Sequence, residues 1–164
     1  ARDFWPVILW RIAAATRDRA AEDLSGSGAA RYPGRWNRVT EPVLYCAPTR
    51  ALAILESAAH VDDGGLPQNR FLVEIQVPDT LWSAREEVPA SALPATWDAI
   101  PAGQASVGFG SEWLRSQRSA VLLVPSVIVP EECCVLINPL HPGAGRIGAR
   151  VSRGLEYGRL FRRG

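Results

Sequence analysis

Within Ala30-Arg31-Tyr32-Pro33-Gly34-Arg35-Trp36-Asn37 the chain gathers two arginines, two aromatics and an amide in a loop bounded by Pro and Gly. A guanidinium is a planar fork of donors that matches a pyrophosphate or a carboxylate. An indole offers a face on which a flat ring can stack. Loops of this kind can present such side chains rigidly to a ligand. The competing account is a surface turn with Trp36 buried and the arginines solvated. Three further groups stand out downstream. Tyr45 lies in the next apolar run, Glu56 closes Leu52-Ala53-Ile54-Leu55-Glu56, and Ser126 interrupts an otherwise apolar stretch after Val124-Pro125. Glu56 either lies on a polar helix edge or is held for chemistry; Arg50, six residues earlier, is not its i,i+4 partner. Ser126 either turns the chain or serves the site.

Other chemistries are poorly supplied. The one G-x-G-x-x-G match, Gly143 to Gly148, follows Pro139 and Pro142 instead of a strand, and only sixteen residues remain after it, too few to reach an acidic ribose ligand. G-x-S-x-G, H-E-x-x-H and Walker A sequences are absent. Cys46 with His60 is a conceivable thiol–imidazole pair, but a cysteine in a buried strand is usually core filling. His141, in His-Pro-Gly, reads as a loop residue. The three cysteines form no C-x-x-C, so neither a disulfide frame nor a metal site is expected.

The 164 residues suit one domain, 1–164, and 47% hydrophobic with 21% charged residues is a globular balance. Eighteen basic residues, all arginine, against seventeen acidic ones leave +1, which gives no field to gather nucleic acid directly. No apolar run reaches the roughly 18 residues of a membrane span, and no signal peptide is evident. A cytoplasmic protein with reduced thiols is the expectation.

The elements that must position these residues follow from periodicity. Strands are predicted over 7–11, 43–46, 70–77, 120–124, 127–129 and 134–137. In the third, Phe71, Val73, Ile75 and Val77 share one face, with Leu72, Glu74 and Gln76 on the other. A helical turn is predicted over 20–24, ended by Ser25-Gly26-Ser27-Gly28. Thr49 should cap a helix over 50–60 with Leu52, Leu55 and Ala59 at helical spacing, stopped by Asp62-Asp63-Gly64-Gly65. Ser111 should cap another running to Gln117. Strands outnumber helices without regular alternation, so the fold class is α+β on a mostly antiparallel core of one or two sheets.

With these segments in view, the sequence resembles the RES domain family, named for an Arg, a Glu and a Ser. The match runs through Gly28-Ala29-Ala30-Arg31-Tyr32, Gly34-Arg35-Trp36-Asn37, Pro42-Val43-Leu44-Tyr45 and Ala51-Leu52-Ala53-Ile54-Leu55-Glu56. It resumes at Val124-Pro125-Ser126 and Leu136-Ile137-Asn138-Pro139-Leu140-His141-Pro142, and Trp10-Arg11 looks like the opening strand. The resemblance implies an ADP-ribosyltransferase-like core of mostly antiparallel strands with a few helices. It places the catalytic group on Arg35, Glu56, Tyr45 and Ser126, with Ser119 the alternative serine. It implies that Arg31, Arg35, Trp36, Asn37 and Tyr45 meet NAD+, the substrate, with no metal.

The same resemblance implies a toxin of a bacterial toxin–antitoxin pair, whose antitoxin carries an Xre-like helix-turn-helix region and covers the site. Such toxins consume NAD+ by hydrolysis, by phosphorolysis or, in one kind, by ADP-ribosylating phosphoribosyl pyrophosphate synthetase. In NAD+ the nicotinamide is a cationic leaving group that needs no general acid, which suits a chain with two histidines. A different class of reading is a non-catalytic partner-binding module, for which six tryptophans leave room for an exposed patch.

Overall fold

A computed structural model describes residues 6–62 and 64–161. Among these described residues, seven strands form two sheets. Strands β1 (Val7–Ala14), β3 (Arg70–Val77) and β7 (Gly148–Gly154) make one, in the order β1-β3-β7. Strands β2 (Leu44–Cys46), β6 (Cys133–Ile137), β5 (Val121–Pro125) and β4 (Glu86–Glu87) make the other, in the order β2-β6-β5-β4. All pairings are antiparallel except β4 with β5. Paired backbone bonds of 2.8 Å between Trp10 and Ala47 join the first sheet to the chain leaving β2. The α+β expectation therefore holds.

Alternation sorts the side chains into three apolar clusters. Leu9, Val73, Ile75 and Val77 of the first sheet meet Leu44, Val121, Val135 and Ile137 of the second. On the outer face of the second sheet, Val43, Leu122, Val124 and Leu136 pack against Trp36, Trp97 and Trp113. On the outer face of the first, Trp10 and Leu72 take Leu52 and Ala53 of helix α2 (Arg50–Ala58). Thr49 caps α2 as expected, its hydroxyl accepting from the Leu52 amide at 3.2 Å, a contact of about 1 kcal/mol. The Arg50 guanidinium lies 3.9 Å over the Trp10 ring, and the Ser57 hydroxyl bonds that of Tyr157. The helix is thus fixed beneath, at its start and along one side.

Several elements differ from the reading above. The inward stripe of α2 is Leu52 and Ala53, while Leu55 is 39% exposed and Ala59 lies in the turn after the helix. Residues 52, 53 and 56 share a face at helical spacing, so the stripe is rotated and carries Glu56 inward. The helix ends at Ala58, before the expected stop, of which Asp63 lies outside the described residues. Residues 20–24 form a hydrogen-bonded turn, not a helix, and the supposed breaker contains the start of α1 (Ser27–Arg31). Gly26 makes this possible at φ 72, a conformation that costs glycine little.

Ser111 does not cap a helix. It is fully buried inside α4 (Gln104–Ser116), where its hydroxyl donates to Glu41 Oε2 at 2.6 Å. Gly110 within α4 serves packing: a Cβ there would lie 1.9 Å from the Trp36 carbonyl oxygen. Residues 127–129 are a loop folded around Ser126, not a strand. Helix α3 (Asp79–Ser83) and strands β4 and β7 carried no clear periodic signal.

Candidate active site

Antiparallel pairing puts the end of β5, the start of β6 and the end of β2 along one edge of the second sheet, with Cys46 opposite Val135 and Pro125 opposite Cys133. The chain leaves β2 through Ala47 and Pro48 into α2, whose rotated stripe brings Glu56 back over that edge. Ser126 follows β5 directly. Its hydroxyl donates to Glu56 Oε1 at 2.6 Å and accepts from the amides of Ile128 at 3.1 Å and Val129 at 3.0 Å. A hydroxyl has one proton and two lone pairs, so the residue is saturated and its proton is committed to Glu56.

Cys134, at the start of β6, also meets Glu56: its Sγ donates to the same Oε1 at 3.3 Å. Both protein donors fall on one oxygen. Among the described residues Oε2 takes no hydrogen bond, and Glu56 pairs with no arginine. Among the described residues no side-chain oxygen or nitrogen is buried without a partner, so Oε2 reaches solvent. Burial first, then the Glu56 charge, raises the Cys134 thiol above its ordinary range, so it stays protonated.

Tyr45 shares the Cys134 face of the sheet, both packing on the tryptophan cluster. Its hydroxyl accepts from the Trp36 amide at 3.0 Å and donates to Asn37 Oδ1 at 2.7 Å. Asn37 Oδ1 also takes the Gly34 amide at 2.8 Å, so the backbone is held on both sides of Arg35. The Asn37 amide nitrogen donates to three carbonyls, Ala29, Arg38 and Glu41, at 2.9–3.1 Å. Gly34 is required where the Tyr45 ring crosses, since a Cβ there would lie 2.8 Å from its Cζ. Burial, the largest cause, raises the Tyr45 phenol, while the Arg35 charge opposes it.

Arg35 is divided in the same way as Glu56. One nitrogen, Nη1, donates to the carbonyls of Trp97 at 2.9 Å and Ala99 at 2.8 Å. Nε and Nη2 take no partner among the described residues, which leaves one edge of the fork for an oxyanion. A half-anchored carboxylate and a half-anchored guanidinium can hold a charged substrate and stabilise a cation formed within it.

Not every expected residue lies in this group. Trp36 is 3% exposed, stacked on Trp97 at 6.2 Å and edged by Phe109, so its ring supports the loop and offers no open face. Asn37 is 1% exposed with its polar atoms spent on backbone, again a support for Arg35. Arg31 ends α1, exposed, with its guanidinium 5.4 Å over the Tyr32 ring. Ser119 stands beyond the other end of β5 and bonds Glu86, Val121 and Trp113, not Glu56. Cys46 faces the core between the sheets, where burial pushes its thiol up to about 12, and His60 is exposed, so they form no pair.

Cys134 has no place in the sequence expectation, since adjacent cysteines suggest only disulfides or metals. The usable signal was alternation, which puts residues 134 and 136 on one face of β6. The Gly143–Gly148 stretch forms a 3-10 turn entering β7. Among the described residues, no cluster of His, Cys, Asp or Glu could hold a metal, and no helix is long and apolar enough to cross a membrane.

The family model described as RES domain matches residues 8–159. The chain is similar to a protein named Prs ADP-ribosylating toxin from Sphingobium sp. (strain YBL2), 54% identical over 149 residues that cover 91% of this chain and 92% of that one. It is also similar to a Toxin Res from Photorhabdus laumondii subsp. laumondii, 36% identical over 153 residues covering 93% and 94%. A solved structure, the M. tuberculosis MbcT-MbcA toxin-antitoxin complex, shares the fold with a TM-score of 0.65 at 20% identity, covering 92% of this chain and 85% of that one.

Proposed function

The chain belongs to the RES domain family, and from that premise we propose that it is the toxin of a bacterial toxin–antitoxin pair that cleaves the nicotinamide–ribose bond of NAD+ and transfers ADP-ribose to a protein. The observation that carries this reading is the 54% identity, across 91% of the chain, to a toxin named for ADP-ribosylating Prs. That name favours a protein acceptor, phosphoribosyl pyrophosphate synthetase, over water or phosphate. The partner is an antitoxin with an Xre-like helix-turn-helix region that covers the site, and the pair works in the cytoplasm.

The geometry supports a division of roles. The bond to nicotinamide breaks with its electron pair leaving on the pyridine nitrogen, which neutralises that ring and needs no proton. Positive charge then develops on the ribose. Glu56 Oε2 accepts a ribose hydroxyl and stabilises that charge, an interaction stronger in the transition state than in the ground state. The free edge of Arg35 holds the pyrophosphate or the adjoining ribose. Tyr45 and Asn37 keep Arg35 in place, and Ser126 keeps Glu56 in place. The acceptor side chain attacks the anomeric carbon, forms the new bond there and gives up its proton to solvent, which closes the reaction.

The test is nicotinamide release from NAD+ by wild type and Glu56→Gln, with mass spectrometry of added phosphoribosyl pyrophosphate synthetase. A mass gain of one ADP-ribose on the acceptor, lost in Glu56→Gln, is expected. Glu56-dependent release of free ADP-ribose or its phosphate, with an unmodified acceptor, would replace transfer by breakdown. No release under any condition would leave only the partner-binding module.

A further inference from the structure

Glu56 Oε1 has two lone-pair directions, and the protein fills both. Ser126 donates along one at 2.6 Å and Cys134 along the other at 3.3 Å. One hydrogen bond sets a pivot about which a carboxylate still turns; two on the same oxygen decide which oxygen is left over. Ser126 cannot supply the second contact, because its one proton is already spent on the first. Cys134 is placed for the task by register: opposite Val124 in β5, it shares the Tyr45 face of the sheet and reaches Glu56 from the sheet side.

We propose that Cys134 is a positioning residue for the reaction, its S–H fixing the Glu56 carboxylate so that Oε1 is spent on the protein and Oε2 is presented to the ribose. The inference rests on the role given to Glu56 above. A thiol suits the position because it stays protonated beside a carboxylate: burial and the Glu56 charge both oppose its ionisation. A thiolate there would repel Glu56 instead of holding it.

The experiment compares Cys134→Ala, Cys134→Val and Cys134→Ser with wild type and Glu56→Gln in steady-state nicotinamide release, with thermal unfolding of each. Ala and Val lack the donor, and Val fills the space should Ala fold poorly. An S–H is a weak donor, so both should lower kcat by about fivefold to tenfold, the scale of one modest hydrogen bond. Their KM for NAD+ should stay within about twofold of wild type, the signature of an interaction that matters in the transition state. Cys134→Ser, which restores a donor, should recover at least half of the lost rate whatever its melting temperature.

Wild-type kcat in Cys134→Ala or Cys134→Val overturns the inference. So does a Cys134→Ser that falls as far as they do, since the thiol would then matter only for packing. An unimpaired Glu56→Gln overturns the reading of Glu56 itself, and that failure is distinguishable because it appears in a variant that leaves Cys134 intact.

Discussion

Strand β5 carries a serine–glutamate pair at each end. Before it, Ser119 donates to Glu86 Oε2 at 2.9 Å; after it, Ser126 donates to Glu56 Oε1 at 2.6 Å. The contacts are nearly alike, but their surroundings differ. Glu86 also takes the Arg118 Nε at 3.1 Å, and Arg118 reaches on to Glu112, so its charge is neutralised in a surface network. Glu56 has no cation among the described residues and keeps one oxygen open. A serine on a glutamate is therefore no mark of a site. An uncompensated carboxylate with half its capacity free is one, since it can respond to positive charge that appears only during reaction.

Removing the two charges in turn gives the widest separation. Glu56→Gln should slow nicotinamide release by about 10²-fold or more, the scale of one lost transition-state electrostatic contact. Glu86→Gln should leave the rate within about twofold and cost at most about 1 kcal/mol of stability, as an exposed ion pair does. Equal losses in both variants, measured on folded protein, would erase the contrast between the ends.

The serines should separate along a different axis. Ser126→Ala removes a Glu56 donor and leaves two loop amides without their acceptor, so kcat should drop by about tenfold or more. Ser119 instead accepts from the buried Trp113 indole at 2.9 Å. Ser119→Ala orphans that N–H and should cost about 1–3 kcal/mol in denaturant unfolding with kcat unchanged. A rate defect in Ser119→Ala at full folding would return it to candidacy as the active-site serine.

The sequence alone could not assign these ends, because Ser119 and Ser126 sit symmetrically about one apolar run. The strands of both sheets were legible where alternation is strict, as in Arg70 to Val77. The arginine loop was legible from composition, and Glu56 from its place after apolar residues. What failed has one physical cause: partners distant in sequence decide the outcome. Only tertiary packing shows that Trp36 turns inward onto Trp97, that Gly110 is small to admit the Trp36 carbonyl, or that α2 is rotated to bury Ala53 and not Leu55. Edge strands such as β7, exposed at every residue from Arg150 to Gly154, give weak patterns because little of either face is buried.

The last expected effect, silent at neutral pH, lies at the Glu56 end, where β2 and β6 bring three acidic protons into apolar surroundings. Burial raises the Cys46 thiol to about 12 from an ordinary 9.0, and raises Tyr45 and Cys134 in the same direction. A group that binds its proton more tightly when folded adds stability in full below its unfolded pKa. That stability is lost as pH rises toward the folded value, because the unfolded chain ionises first. For Cys46 the window is from 9.0 to about 12, with a slope of about 1.4 kcal/mol per pH unit at most. Stability from denaturant midpoints should therefore fall above pH 9.0 in wild type. In Cys46→Ala the fall should be shallower by that one group, with nicotinamide release at neutral pH unchanged, because Cys46 faces the core between the sheets. An identical alkaline slope in the variant would mean that the Cys46 thiol ionises in the folded protein as easily as in the unfolded chain.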